Sequence, residues 1–178
     1  MPPAVAGIGL LAAFGARGML GSGLAARGLR IPFTELAVVL AVTFVAAPFY
    51  LRQAIASFQA VDPTLVAAAR TLGAGPARAF ARIALPLAAP GLGTGWALAF
   101  ARGIGEFGAT LFFAGSIAGI TQTIPLAIYE QLEVSFDTAL ALGVLLVCLS
   151  GAVLILAKLV PGWTRSASTS APASVPSR

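Results

Sequence analysis

Apolar residues fall into four runs separated by connectors rich in glycine, arginine or acid. The first, "PPAVAGIGLLAAFG", stops at Arg17 and is followed by the glycine-rich "GMLGSGLAARGLR". The second runs from Thr34 to Leu51 with one proline, Pro48, and the third from about Leu92 to Phe113. The fourth spans Thr138 to Val160 and holds 19 uncharged residues from Ala139 to Ala157. A helix needs roughly 20 apolar residues to cross a bilayer, so the last three predict membrane spans. A proline inside such a span is tolerated where neighbours satisfy the freed carbonyl. Pro2 to Ala16 is short for a full crossing and reads as the end of something longer.

Between the second and third runs lies "DPTLVAAARTLGAGPARAFARIALP", residues 62–86, which is too polar to cross. Asp62-Pro63 is a helix start: Asp accepts from free amides at the N-cap and Pro suits the first turn. That helix is expected to reach about Leu72, with Gly73 supplying the left-handed residue that ends it. Gly75-Pro76 starts a second short helix with Arg78 and Arg82 on one face and Ala79, Phe80 and Ile83 on the other. Pro86 is expected to end it. The predicted unit is a compact, basic helix-turn-helix. The residues leave two roles open: an interfacial helix pair whose arginines meet lipid phosphates, or a docking element for a cytoplasmic partner. DNA binding is disfavoured, because the neighbouring spans pin the segment to the membrane.

Composition supports an integral membrane protein. Of 178 residues 58% are hydrophobic and 10% charged, where a soluble domain carries about 25% charged. The single cysteine, Cys148, and the lack of histidine exclude an intrachain disulfide, a Cys/His zinc site and His-dependent catalysis. The net charge of +5 comes from residues at helix ends and in loops, which suits topology signalling. Residues 52–90 hold four arginines against one aspartate, residues 115–137 hold three acids and no base, and Lys158 and Arg165 follow the last span. The positive-inside rule then puts 52–90 and the C-terminus in the cytoplasm and 115–137 outside. Arg17, Arg27 and Arg30 run against that assignment. After Trp163 the Ser/Ala/Pro-rich stretch 164–178 has nothing to bury and reads as a disordered tail.

The third run carries small residues every fourth position: Gly91, Gly95, Ala99 and Gly103, and also Ala97, Ala101, Gly105 and Ala109. Such stripes let helix backbones approach closely. Arg102 and Glu106 sit inside the same run at i, i+4, where an unpaired charge costs about 2.5–3.5 kcal/mol by insertion scales. One reading is a structural ion pair. The other is that their face, with Gly103, Gly105 and Gly108, borders a translocation path or gate. There an anion is attracted by Arg102 and repelled by Glu106. No P-loop sequence is present, so no ATPase chemistry is assigned to this chain.

"AAARTLGAGPARAFARIALPLAAPG" resembles the EAA signature of permease subunits of ABC importers, whose loop seats on the ATPase subunit. The resemblance places the signature on Ala67, Ala68 and Ala69, its glycine on Gly73 and its end on Ile83, Leu85 and Pro86, with Arg70, Arg78, Phe80 and Arg82 on the same coupling segment. The signature glutamate is Ala67 here. "FARGIGEFGATLFFAGSIAGITQTIPLAIYEQLE", residues 100–133, resembles the molybdate branch. Its GEFG element (Gly105, Glu106, Phe107, Gly108) is shared with sulfate relatives, whereas "TQTIPLAIY" is more typical of molybdate.

The resemblance implies an all-α polytopic membrane bundle of about four to five helices in the bacterial inner membrane, N-terminally truncated, with residues 1–163 as the permease domain. It implies a homodimer with a second permease copy, cytoplasmic ABC ATPase subunits holding ATP and magnesium, and a periplasmic oxyanion-binding protein. This chain itself is expected to bind no cofactor, metal or nucleic acid. Glu130, Glu133 and Asp137 are candidate edge contacts for the binding protein or plain solvated acids. The alternatives are a sulfate or tungstate permease, or a remnant that no longer transports.

Overall fold

The structure is a computed structural model describing residues 2–159. The tail 164–178, Trp163 and Arg165 lie outside the described residues, as does the side chain of Lys158. Among the described residues every regular element is helical, with no strand. In order, the helices are α1 (Pro3–Phe14), α2 (Gly21–Ala25), α3 (Glu35–Gln59), α4 (Pro63–Thr71), α5 (Pro76–Ala79), α6 (Leu85–Ile104), α7 (Gly108–Phe113), α8 (Ile124–Val134) and α9 (Phe136–Leu159). Among the described residues three stretches are long and apolar enough to cross a membrane: Glu35–Gln59, Pro76–Ile104 and Phe136–Leu156.

The α3–α6 pair is the frame of the molecule. Thr34 caps α3, its hydroxyl accepting from Ala37 N–H at 3.4 Å and donating to the Ile31 carbonyl at 2.6 Å. The glycine stripe of α6 faces α3. A Cβ on Gly103 would meet Val42 Cγ1 at 2.9 Å, one on Gly95 would meet Gln53 Cβ at 3.0 Å, and one on Gly91 would collide with Ser57. Residue numbers fall along α6 as they rise along α3, so the two run antiparallel, with α3 side chains lying directly on the glycine backbone of α6. In lipid, where apolar burial drives little, that proximity supplies the van der Waals contact. The second small-residue stripe is interrupted at Gly105, around which a Cβ would find nothing within 4 Å.

A smaller core joins α1 and α7 to the start of α3. Ala37, Ala41, Ala109, Phe113 and Ala114 are buried together, with Leu10, Leu11 and Phe14 against them. Phe33, just before α3, holds a left-handed φ of 62° while its N–H donates to the Phe113 carbonyl at 3.2 Å. A left-handed non-glycine costs on the order of 1–2 kcal/mol, and here it ties the end of α7 to the start of α3. Residues 60–79 and 114–123 therefore lie at opposite ends of the α3–α6 hairpin.

Two expectations need correction. Pro86 does not end the second short helix. Residues 80–84 form a π-helical turn in which Leu85 N–H reaches the Phe80 carbonyl, and the chain runs on from Pro76 to Ile104. A proline clashes with the carbonyl four residues back in regular α-geometry, and the wider turn immediately before Pro86 makes room for it. The third apolar run is not one helix either: it breaks at residues 105–107, between α6 and α7. Within the 115–137 connection lies α8.

Candidate functional site

The helix-turn-helix at one end of the hairpin forms as its local chemistry dictates. Asp62 accepts from Thr64 N–H at 2.8 Å and from the Thr64 hydroxyl at 2.7 Å. These bonds, the hydroxyl's first, hold its carboxyl below the ordinary 3.8. Gly73 has φ +86°, with its N–H on the Arg70 carbonyl and that of Ala74 on the Ala69 carbonyl, which closes α4. Phe80 stacks on Phe58 at 5.8 Å and 22°, fastening the start of the long helix to the end of α3. Arg70, Arg78 and Arg82 are all exposed, as are Ala67, Ala68, Gly73 and Pro86, while Ala69 is half-buried. Leu72, 89% exposed, stands beside them. The segment is a free surface with an apolar tip and a basic rim, fixed at its base by one aromatic pair.

The second candidate lies at the break between α6 and α7. Arg102 is in the last turn of α6, where backbone carbonyls favour a cation, and Glu106 precedes the first turn of α7, where free amides favour an anion. Arg102 Nη1 is 2.7 Å from Glu106 Oε2. No N–H is aimed at that oxygen, so the contact is an ion pair and not an aligned hydrogen bond. The other oxygen, Oε1, accepts from Ala109 N–H at 2.8 Å. Glu106 is 1% exposed and Ala109 fully buried, so no water can serve that amide. The carboxylate serves it instead. The pair therefore spans a break; it does not lie on one continuous helix face, as the spacing suggested. Removing one partner of such a buried pair typically costs about 3–5 kcal/mol.

Of the GEFG residues, Gly105 ends α6 in the open, and Phe107 packs its ring on Tyr129 of α8 at 5.3 Å and 58°. Gly108 opens α7 against α1, where a Cβ would stand 2.8 Å from Ala4 N. An open cavity of about 350 Å³ adjoins the break, lined chiefly by Pro3, Ala4, Arg102, Glu106, Phe107 and Phe112. The sequence reading missed Gly7, Phe112 and Tyr129. Gly7 and Gly9 inside a short apolar helix were the available signal for the first, without telling which of them is in contact; nothing local marked the other two. No group of three or more metal-ligating side chains occurs among the described residues.

Apolar spans, small-residue packing and an ion pair at a break in a span define a multi-pass helical membrane protein. The chain belongs to the family of binding-protein-dependent transport system inner membrane components, which it matches over residues 1–165. It is 46% identical over 155 residues to the molybdenum transport system permease protein ModB of Mycobacterium tuberculosis, covering 87% of this chain and 59% of that one. To ModB of Escherichia coli K12 it is 43% identical over 134 residues, 75% of this chain and 58% of that one. To the sulfate transport system permease protein CysT of the same organism it is 36% identical over 156 residues, 88% and 56% of the two chains. The chain thus spans less than two thirds of the length of the curated relatives it matches.

Proposed function

We propose that the chain is the membrane-spanning part of an ATP-driven molybdate importer, forming the translocation path and coupling to a cytoplasmic ATPase subunit. The observation that carries this reading is the similarity to permeases named for molybdenum transport, at 43–46% identity. The family match over residues 1–165 takes in both the exposed basic segment and the broken span.

In this reading residues 62–86 dock on the ATPase. Exposed Arg70, Arg78 and Arg82 and the apolar tip at Leu72 suit a protein partner, and the missing acid at Ala67 leaves shape and the arginines to carry the coupling. Residues 52–90 and the C-terminus lie in the cytoplasm, and 115–137, which begins at the other hairpin end, faces outward towards an oxyanion-binding protein. Residues 1–163 act as one permease domain, working as a homodimer. Arg102, Gly105, Glu106, Phe107 and Gly108 border the path or its gate.

The similarity to CysT favours sulfate as the second reading. Reconstituting the complete permease with its ATPase and binding protein in proteoliposomes tests both. Molybdate-stimulated ATP hydrolysis exceeding sulfate stimulation is the expected result. Stimulation by sulfate alone would move the assignment to the second reading, and no stimulation by any oxyanion would overturn both.

A further inference from the structure

We propose that Glu106 is a positioning residue that fixes Arg102 as a one-sided anion contact, making the cavity beside the break a transit subsite for a tetrahedral oxyanion dianion. This rests on the importer reading and deepens it. Oε1 of Glu106 accepts from Ala109 N–H at 2.8 Å, and Oε2 makes a close ion-pair contact, without an aligned hydrogen bond, 2.7 Å from Arg102 Nη1. Glu106 is nearly fully buried, so its carboxylate presents no free face to an incoming anion. A guanidinium has five N–H donors, and among the described residues Glu106 is the one acceptor that reaches Arg102. The Arg102 side chain is 27% exposed and lines the cavity, so its remaining donors have access to that space.

The other main walls, Pro3, Ala4, Phe107 and Phe112, bring no competing side-chain acceptor. The volume of about 350 Å³ compares with roughly 30 Å³ for one water in the liquid, so a tetrahedral oxyanion fits with part of its hydration. The carboxylate behind the guanidinium repels the same dianion through a medium of low dielectric. Attraction and repulsion together give a site that an anion enters and leaves, as passage requires.

The pair separates positioning from charge. In Glu106→Gln the amide oxygen still accepts from Ala109 N–H, but the negative charge is gone and Arg102 is left without its partner. Equilibrium binding of molybdate to the permease–ATPase complex in nanodiscs, without binding protein, is the test. The expected results are weak saturable binding in the wild type, binding at least tenfold tighter with lower transport turnover in Glu106→Gln, and loss of binding in Arg102→Ala. Phe112→Trp narrows the cavity without touching the pair and weakens binding; it decides the matter if Arg102→Ala fails to assemble. Unchanged or weaker affinity in Glu106→Gln, or wild-type affinity in Phe112→Trp, overturns the subsite. A wild type stimulated by the loaded binding protein yet devoid of saturable molybdate binding overturns the subsite alone. A wild type that binds molybdate but is stimulated by no oxyanion overturns the importer reading and leaves the subsite standing.

Discussion

A Cβ on Gly7 would stand 2.7 Å from the carbonyl oxygen of Ala109 and 2.8 Å from its Cα, so α1 and α7 meet backbone to backbone. The obstacle is main chain, which cannot swing aside as a flexible side chain can. Gly7→Val is therefore expected to destabilise the detergent-solubilised protein by about 1–3 kcal/mol, the usual cost of overpacking. Gly9, in the same helix, has nothing within 4 Å of its Cβ position. Gly9→Val should leave the thermal unfolding midpoint nearly unchanged, and equal losses in both variants would contradict the arrangement.

At the α3–α6 contact the obstacle is a side chain and can be removed. A Cβ on Gly103 meets Val42 Cγ1 at 2.9 Å and Ala46 Cβ only at 3.8 Å. Gly103→Ala should destabilise, and Gly103→Ala with Val42→Ala should recover part of the loss. A double-mutant cycle measures this, with a coupling on the order of 0.5–3 kcal/mol expected for residues in contact. Additive losses would mean that the two do not touch.

Asp62 gives a pH dependence of defined sign. Its bonds to Thr64 are made by the carboxylate and lower its pKa in the folded state. Its contribution to the start of α4 is fully present above the ordinary value of 3.8 and is lost as pH falls through the lowered folded value. Asp62→Asn keeps an accepting oxygen and should remove the acid dependence while keeping the helix. Amide exchange at Thr64 and Leu65, followed from pH 6 down to about pH 2, compares the two. Matching acid profiles would exclude the cap as their source.

Ala67 is exposed in α4, so a glutamate there meets no packing obstacle. Ala67→Glu is expected to unfold at the wild-type midpoint and to raise oxyanion-stimulated ATP hydrolysis in the reconstituted complex. An unchanged rate would leave coupling to Arg70, Arg78 and Arg82, whose charge reversal should then abolish it.

What was legible in the sequence is what local backbone chemistry decides. Asp62-Pro63, Gly73 and Gly75-Pro76 each determine a cap or turn within three residues, and each stands where expected. The stripe Gly91, Gly95, Gly103 was visible as a packing face, but that it meets α3 depends on a hairpin closed over more than thirty residues. Pro86 misled because a proline usually ends a helix, and the widened turn before it is not marked in the residue types. The break at 105–107 was hidden for a different reason: hydropathy measures preference for depth in the membrane and is indifferent to continuity of the helix. Arg102 and Glu106 were recognisable as a pair from spacing. That one carboxylate oxygen serves Ala109 could be seen only once the helix was known to break at 105–107, which frees the Ala109 N–H.

The π-helical turn has a mechanical consequence. Because the chain is not cut at Pro86, Arg78 and Arg102 belong to one hydrogen-bonded rod and stand roughly 36 Å apart along it. A tilt of about 5° at the Arg78 end would displace the Arg102 end by roughly 3 Å, which exceeds the 2.7 Å now separating Arg102 from Glu106.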